Sequence, residues 1–245
     1  MQLKVYKNSK ELGIHAAKHA AEILNNAIKE KGSARLLLST GASQFDFFSA
    51  FVKEKVDWSK VVVFHLDEYV GISPEHPASF NKYLRERFVD VVSPGEYYLM
   101  NGEEDPATTI ARVTEKINER KIDLGMIGIG ENGHIAFNDP PADFDDERAY
   151  KIVTLNDTCL RQQVREGWFE NEAAAFKQAI SMTCKKIMDS ENIISVVPHG
   201  VKAWAVRGAL TYDISPELPA TLLRTHPSAT LYCDENSASL IGKAE

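Results

Sequence analysis

Two rhythms of apolar residues alternate along the chain. After Asn8, which with Glu11 forms a capping-box pattern, Leu12, Ala16, Ala20, Ile23 and Ala27 recur at steps of three and four. They predict an amphipathic helix that stops near Gly32. The unbroken apolar run ARLLLS (34–39) then predicts a buried strand, and STGASQFDFFSAFVKEK (39–55) a tight turn opening directly into a helix. The alternation continues. KVVVFHLDEYVG (60–71) is β-branched and apolar up to Asp67 and Glu68, with a helix predicted over SFNKYLRERFV (79–89). KIDLGMIGIG (121–130) predicts a third buried strand, and the stretches around 156–169 and 173–189 predict two helices. NIISVVPHG (192–200) predicts a fourth strand, VKAWAVRGAL (201–210) a helix and ATLYCDE (229–235) a last strand. Strands buried on both faces and alternating with helices imply an α/β fold: a Rossmann-like, mostly parallel sheet with helices on both faces, in a single domain over 1–245.

Composition narrows the function more than the fold. With 44% hydrophobic and 26% charged residues the chain has an ordinary globular balance. A formal net charge of −7 gives a surface that repels nucleic acid and anionic membrane, so neither is expected as a partner. No apolar run approaches the roughly 20 residues of a spanning helix, and MQLKVYKNSKELG at the N-terminus contains no signal-peptide core. Cys159, Cys184 and Cys233 are odd in number and widely spaced, which points to reduced thiols in a cytoplasmic protein. Neither they nor the histidines show metal-ligand spacing, so no metal or cofactor is expected. A small phosphorylated substrate stays open, because one local pocket can be positive on an acidic protein.

Ligands of open α/β sheets sit outside the carboxyl ends of the strands. Four polar clusters fall there: STGAS (39–43), LDEY (66–69), GENGH (130–134) and PHGVK (198–202). They are expected to converge on one crevice. Thr40, Gly41, Ala42 and Ser43 offer small side chains and close backbone approach where a helix begins, which suits a phosphate, and Lys202 can add a cation. Asp67, ending an apolar strand, is a candidate general base with a pKa raised by partial burial. Glu68 beside it is either an orienting, substrate-binding group or a carboxylate that fixes a loop. His65 shares the parity of Asp67 along the strand and can pack against the sheet. His134, flanked by Asn132 and Asp139, is a proton-shuttling imidazole with neighbours able to fix its tautomer.

Three segments, LDEYVG (66–71), GIGENGHIAFNDP (128–140) and HPSATLYCDENSA (226–238), resemble the glucosamine-6-phosphate deaminase/isomerase family in order and spacing, from about residue 35 to 241. The same superfamily holds 6-phosphogluconolactonases, but their histidine loop typically continues GHTAS, where this chain has GHIAFN. The resemblance implies a metal-free reaction on a 2-amino-2-deoxyhexose 6-phosphate, glucosamine or galactosamine. In it His134 opens the sugar ring, Asp67 carries the C2 proton to C1, and the resulting imine hydrolyses to ketose 6-phosphate and ammonia. It also implies that Thr40 to Ser43, Gly130 and Lys202 contact substrate, joined at the phosphate by an arginine, Arg161 first and Arg165 second.

Two departures from the family pattern matter. Members usually carry aspartate two residues before the histidine and glutamate after FN, whereas this chain has Asn132 and Asp139. An amide at 132 orients the ring without a charge, which predicts weaker support for an imidazolium and opens the question of epimer preference. The acidic stretch Asp143, Asp145, Asp146 and Glu147 stands where effector-regulated members carry basic and hydroxyl groups. No activation by N-acetylglucosamine 6-phosphate is therefore expected. A sugar-phosphate lactone hydrolase using His134 as base and a non-catalytic sugar-phosphate sensor are the alternatives. A monomer or small homo-oligomer is expected.

Overall fold

The computed structural model describes residues 1–165, 167 and 169–242, with backbone only at 158, 159 and 162. The order along the chain is β1 (Gln2–Tyr6), α1 (Ser9–Lys31), β2 (Ala34–Leu38), α2 (Phe45–Phe51), β3 (Val61–His65), β4 (Asp67–Tyr69), α3 (Phe80–Leu84), α4 (Asp90–Val92) and β5 (Glu96–Tyr98). It continues with α5 (Pro106–Asn118), β6 (Leu124–Ile127), β7 (Tyr150–Thr154), α6 (Asp157–Arg165), β8 (Gln178–Met182), α7 (Cys184–Met188), β9 (Ile193–Val197), α8 (Ala203–Thr211) and β10 (Ala229–Asp234). Seven strands form a wholly parallel sheet in the order β1-β10-β9-β6-β2-β3-β5. From β2 the chain first builds outward through β3 and β5, then returns to lay β6 on the other side of β2. The order therefore reverses between β2 and β6, and the loops leaving those two strands diverge around a crevice.

Alternate strand residues feed two cores, one on each face. Leu36 and Leu38 of β2, Val61 and Val63 of β3 and Leu124 and Met126 of β6 pack with Leu12, Ala16, Ala20 and Leu24 of α1 and with Phe47 and Phe51 of α2. Leu37, Phe64 and Ile127 point the other way, onto Val113 and Ile117 of α5, Ile187 of α7 and Ala205 and Val206 of α8. Each of the larger side chains among these, Leu, Val, Ile, Met or Phe, contributes about 1.5–3 kcal/mol of burial free energy. The first helix has the predicted caps: Asn8 Oδ1 accepts from the Glu11 N–H, and Gly32 closes the helix in the left-handed region at φ 81°.

A second, three-stranded antiparallel sheet, β4-β8-β7, departs from the sequence expectation. KVVVFHLDEYVG reads as one strand, yet the chain changes sheets at Leu66. Its N–H still bonds Leu38 O in the parallel sheet, while its carbonyl accepts from Met182 N at 2.8 Å in the small one. The helix predicted over 173–189 is corrected as well. Gln178–Met182 is the central strand of the small sheet, paired on both sides, and only Cys184–Met188 is helical. Ladder pairing on two edges overrides the helical preference of an Ala- and Lys-containing stretch. The strands β1, β5 and β7 and the helix α5 are additions to the elements predicted from the pattern.

Tyr69, Phe80, Phe137, Leu155, Leu160 and Phe169 make a third cluster joining the small sheet to α6 beside the crevice. Cys184 and Cys233 are buried free thiols, each pushed up to about 12 by burial; the side chain of Cys159 lies outside the described residues. Among the described residues no helix is long and apolar enough to cross a membrane.

Candidate active site

The four strand ends singled out from the sequence meet. One cavity of about 350 Å³ is lined by residues 39–43 after β2, Leu66 and Asp67 after β3, Gly128–Glu131 and His134 after β6, and His199, Val201 and Lys202 after β9. Phe80, Ala136 and Phe137 add an apolar wall, and Gln163 and Arg165 of α6 contribute from the side of the small sheet. The cavity stands at the β2/β6 reversal of the strand order.

The 39–43 loop turns on Gly41, whose φ of 103° is a conformation that residues with a side chain rarely adopt. Its carbonyl accepts from the Tyr83 hydroxyl at 2.9 Å and from Gln44 N at 3.1 Å. Gln44, buried beneath, donates its amide to Val196 O at 3.0 Å. The loop is thus fastened from α3 and from β9.

Asp67 is 7% exposed and borders the cavity. Burial, with the Glu68 carboxyl next to it, pushes its pKa up to about 8. Glu68, expected either to orient substrate or to fix a loop, is fully buried and lies off the cavity lining. Its carboxylate accepts from the N–H groups of Tyr69, Phe80 and Asn81 and from Ser79 Oγ, at 2.8–3.2 Å. Burial raises its pKa to about 7, and these four donors oppose the rise. The donors make Glu68 the first of the pair to ionise, leaving the proton on Asp67. Glu68 holds the start of α3 and supplies the neighbouring charge. His65 is a wholly buried structural group: its Nε2 accepts from Met100 N at 2.8 Å, and burial drives its pKa down to about 3, so it stays neutral.

The 128–139 loop arranges the imidazole. His134 Nδ1 lies 2.7 Å from Asn132 Oδ1 and 3.2 Å from Asp139 Oδ1. Asn132 Nδ2 donates to Asp139 at 3.1 Å, and the His134 N–H donates to Asn132 Oδ1 at 3.2 Å, which together fix the orientation of the amide. Both neighbours of Nδ1 are then acceptors. Nδ1 carries the proton and Nε2 keeps its lone pair. A carboxylate therefore stands beside the ring despite the amide at 132, supplied from the other end of the loop. Burial works to raise the Asp139 pKa, but the bonds from His134 and Asn132 prevail and hold it below its usual value. Gly130 is required for space: a Cβ there would sit 2.2 Å from His134 Cε1. Asn138 is a backbone brace, its Nδ2 donating to Ile135 O and Met182 O.

Lys202 is buried in the cavity wall. Arg161, the first choice for the phosphate arginine, is exposed and off the lining, whereas Arg165, one turn later at the end of α6, lies on the lining and pairs with Glu131. Ser39, Gln163 and His199 also reach the cavity without having been singled out. Ser39 and His199 lie inside the quoted motifs, but Gln163 sits in a helix whose pattern carries no chemical signal. Among the described residues there is no group of three or more His, Cys, Asp or Glu that could hold a metal.

Comparison with known proteins gives a consistent picture. Residues 7–232 match the family described as glucosamine-6-phosphate isomerases/6-phosphogluconolactonase. A glucosamine-6-phosphate deaminase of Lactobacillus delbrueckii subsp. bulgaricus is 32% identical over 98% of this chain and 100% of that protein. One from Listeria monocytogenes is 33% identical over the same shares. A solved monomeric glucosamine-6-phosphate deaminase superposes with a TM-score of 0.88 at 28% identity, covering 98% of this chain and 100% of the other. A 6-phosphogluconolactonase from Shewanella baltica shares the fold, at TM-score 0.77 and 19% identity over 96% of this chain and 97% of that one.

Proposed function

Because the chain belongs to the glucosamine-6-phosphate isomerase/6-phosphogluconolactonase family, we propose that its cavity converts a 2-amino-2-deoxyhexose 6-phosphate to ketose 6-phosphate and ammonia. The observation that carries this reading is the meeting of Asp67, His134 and the cationic groups Lys202 and Arg165 around one cavity. Two proton-handling groups on separate strand ends suit a reaction that moves protons at two places on one sugar. Cations and the backbone of residues 40–43 suit its phosphate.

His134 Nε2, unprotonated while Nδ1–H is held by Asn132 and Asp139, takes the proton of the anomeric hydroxyl and delivers one to the ring oxygen, opening the ring. The imidazolium formed in between faces the Asp139 carboxylate. Asp67, in its ionised form, removes the C2 proton and returns it at C1, converting the open-chain aldose to a 2-imino compound. Water adds at C2 and ammonia leaves. The low polarity that raises the Asp67 pKa makes its carboxylate a stronger base than a solvated one. We take glucosamine 6-phosphate and galactosamine 6-phosphate as the two candidate substrates. The names of the relatives favour the first, and the changed residues at 132 and 139 bear on the choice. A cytoplasmic setting suits the buried free thiols, and a single chain or small oligomer suits a relative described as monomeric.

The test is release of ammonia together with ketose 6-phosphate from each epimer. Turnover of either, lost in His134→Ala, supports the reading. Opening of 6-phosphogluconolactone, with no ammonia from either amino sugar, replaces it with the lactonase.

A further inference from the structure

Two buried polar groups in the cavity wall have no part in the chemistry described so far. Gln163 is 6% exposed and Ser39 is 5% exposed. Both residues line the cavity, yet Gln163 Oε1 and Ser39 Oγ are closed to solvent and have no hydrogen-bond partner among the described residues, so turning either atom toward a ligand breaks no hydrogen bond that it makes. Most buried polar atoms are paired, and an orphan inside a ligand cavity points to a partner that arrives with the ligand. Other orphaned atoms, such as His65 Nδ1 and Asn138 Oδ1, belong to residues off the cavity lining.

The chemistry of the two groups selects the partner. A carbonyl oxygen repels a phosphate dianion, and the phosphate already has Lys202, Arg165 and the 40–43 backbone. Sugar hydroxyls fit both groups: one donates to Gln163 Oε1, and one either accepts from Ser39 Oγ or, if it is a different hydroxyl, donates to it. The groups come from independent elements, Ser39 from the end of β2 and Gln163 from α6. Hydroxyls bound by groups on separate elements are read by position.

We infer that Gln163 is a specificity-determining residue that, with Ser39, recognises the hydroxyl pattern of the sugar and so discriminates between hexosamine 6-phosphate epimers. The inference rests on the deaminase reading and names the contact that sets its substrate preference. A site built to bond a hydroxyl rejects an analogue that presents none there, because the buried group stays unpaired.

The experiment compares the wild type with Gln163→Met, which keeps the volume and removes the amide, and with Ser39→Ala. Ammonia release is measured from glucosamine 6-phosphate and galactosamine 6-phosphate, with the inhibition constant of any epimer too slow to follow, and the melting temperature of each free protein is recorded. The expected result for Gln163→Met is a fall of at least about tenfold in kcat/KM for the preferred epimer. The two epimers should move toward equality, and the free protein should melt at higher temperature because an orphaned group is gone. Ser39→Ala should shift the epimer ratio in the same direction. With an active wild type, the inference is overturned by a ratio that stays within about twofold in both variants. Equal loss on both epimers with a lowered melting temperature overturns it too, marking a packing residue, as does a wild type that shows no epimer preference. A wild type that releases no ammonia from either overturns the deaminase reading itself, and this inference with it.

Discussion

At the scale of single residues, the site depends on keeping a carboxyl where water cannot solvate it. The folded state holds a proton on Asp67 up to about pH 8, while an unfolded chain releases it near the ordinary carboxylate value of about 3.9. The stabilisation from this protonation is complete below the unfolded value, erodes as pH climbs through the window between the two, and is gone above about 8. Asp67→Asn should therefore abolish turnover and raise the melting temperature, by a margin that grows at about 1.4 kcal/mol per pH unit between pH 5 and pH 8. A melting temperature that falls in this variant contradicts the account. For the wild type, kcat/KM should climb with pH until Asp67 is ionised, levelling near about 8; a flat profile across that range contradicts a base held protonated by burial. Gly130→Ala tests the ring's position without touching any proton-handling group. Its methyl would take the place of the His134 ring, and kcat should fall by about 10²-fold or more while the protein remains folded.

At the scale of elements, the parallel sheet was legible and the small antiparallel one was not. The strands inside the runs at 34–39, 121–130, 192–200 and 229–235 are buried on both faces in the sheet, and continuous hydrophobicity is the pattern such strands leave in a sequence. Gln178–Met182 carries no such mark: it is a strand because β4 and β7 flank it, and pairing partners distant in the chain are invisible to local periodicity. The same limit explains Glu68, whose four donors come mostly from residues 79–81, and Gln163, whose burial depends on how α6 lies. Between the two arginines of α6, position on the helix decides. Arg165→Ala should raise KM for the phosphorylated substrate by about 10–100-fold with a smaller effect on kcat, whereas Arg161→Ala should stay within about twofold of wild type. Steady-state kinetics of the two variants checks this, and equal effects would contradict the placement.

At the scale of the whole molecule, the reversal of strand order between β2 and β6 explains why four distant segments reach one cavity. Each loop leaves the carboxyl edge of the same sheet, so the polar clusters after β2, β3, β6 and β9 meet without a dedicated scaffold. The acidic stretch after the histidine loop is committed elsewhere: Asp146 pairs with Arg148 at 2.7 Å and Glu147 pairs with Lys185, while Asp143 and Asp145 are exposed carboxylates. A second phosphosugar would be repelled there, so saturation curves should neither steepen nor shift when N-acetylglucosamine 6-phosphate is added. In the proposed reaction Asp67 carries a proton between C2 and C1 once His134 has opened the ring. Proton NMR in D2O tests it most directly, following the C2 proton of the preferred amino sugar 6-phosphate with the wild type, Asp67→Asn and His134→Ala. The account predicts loss of the C2 signal and ketose formation with the wild type alone; C2 proton loss that persists in Asp67→Asn would contradict it.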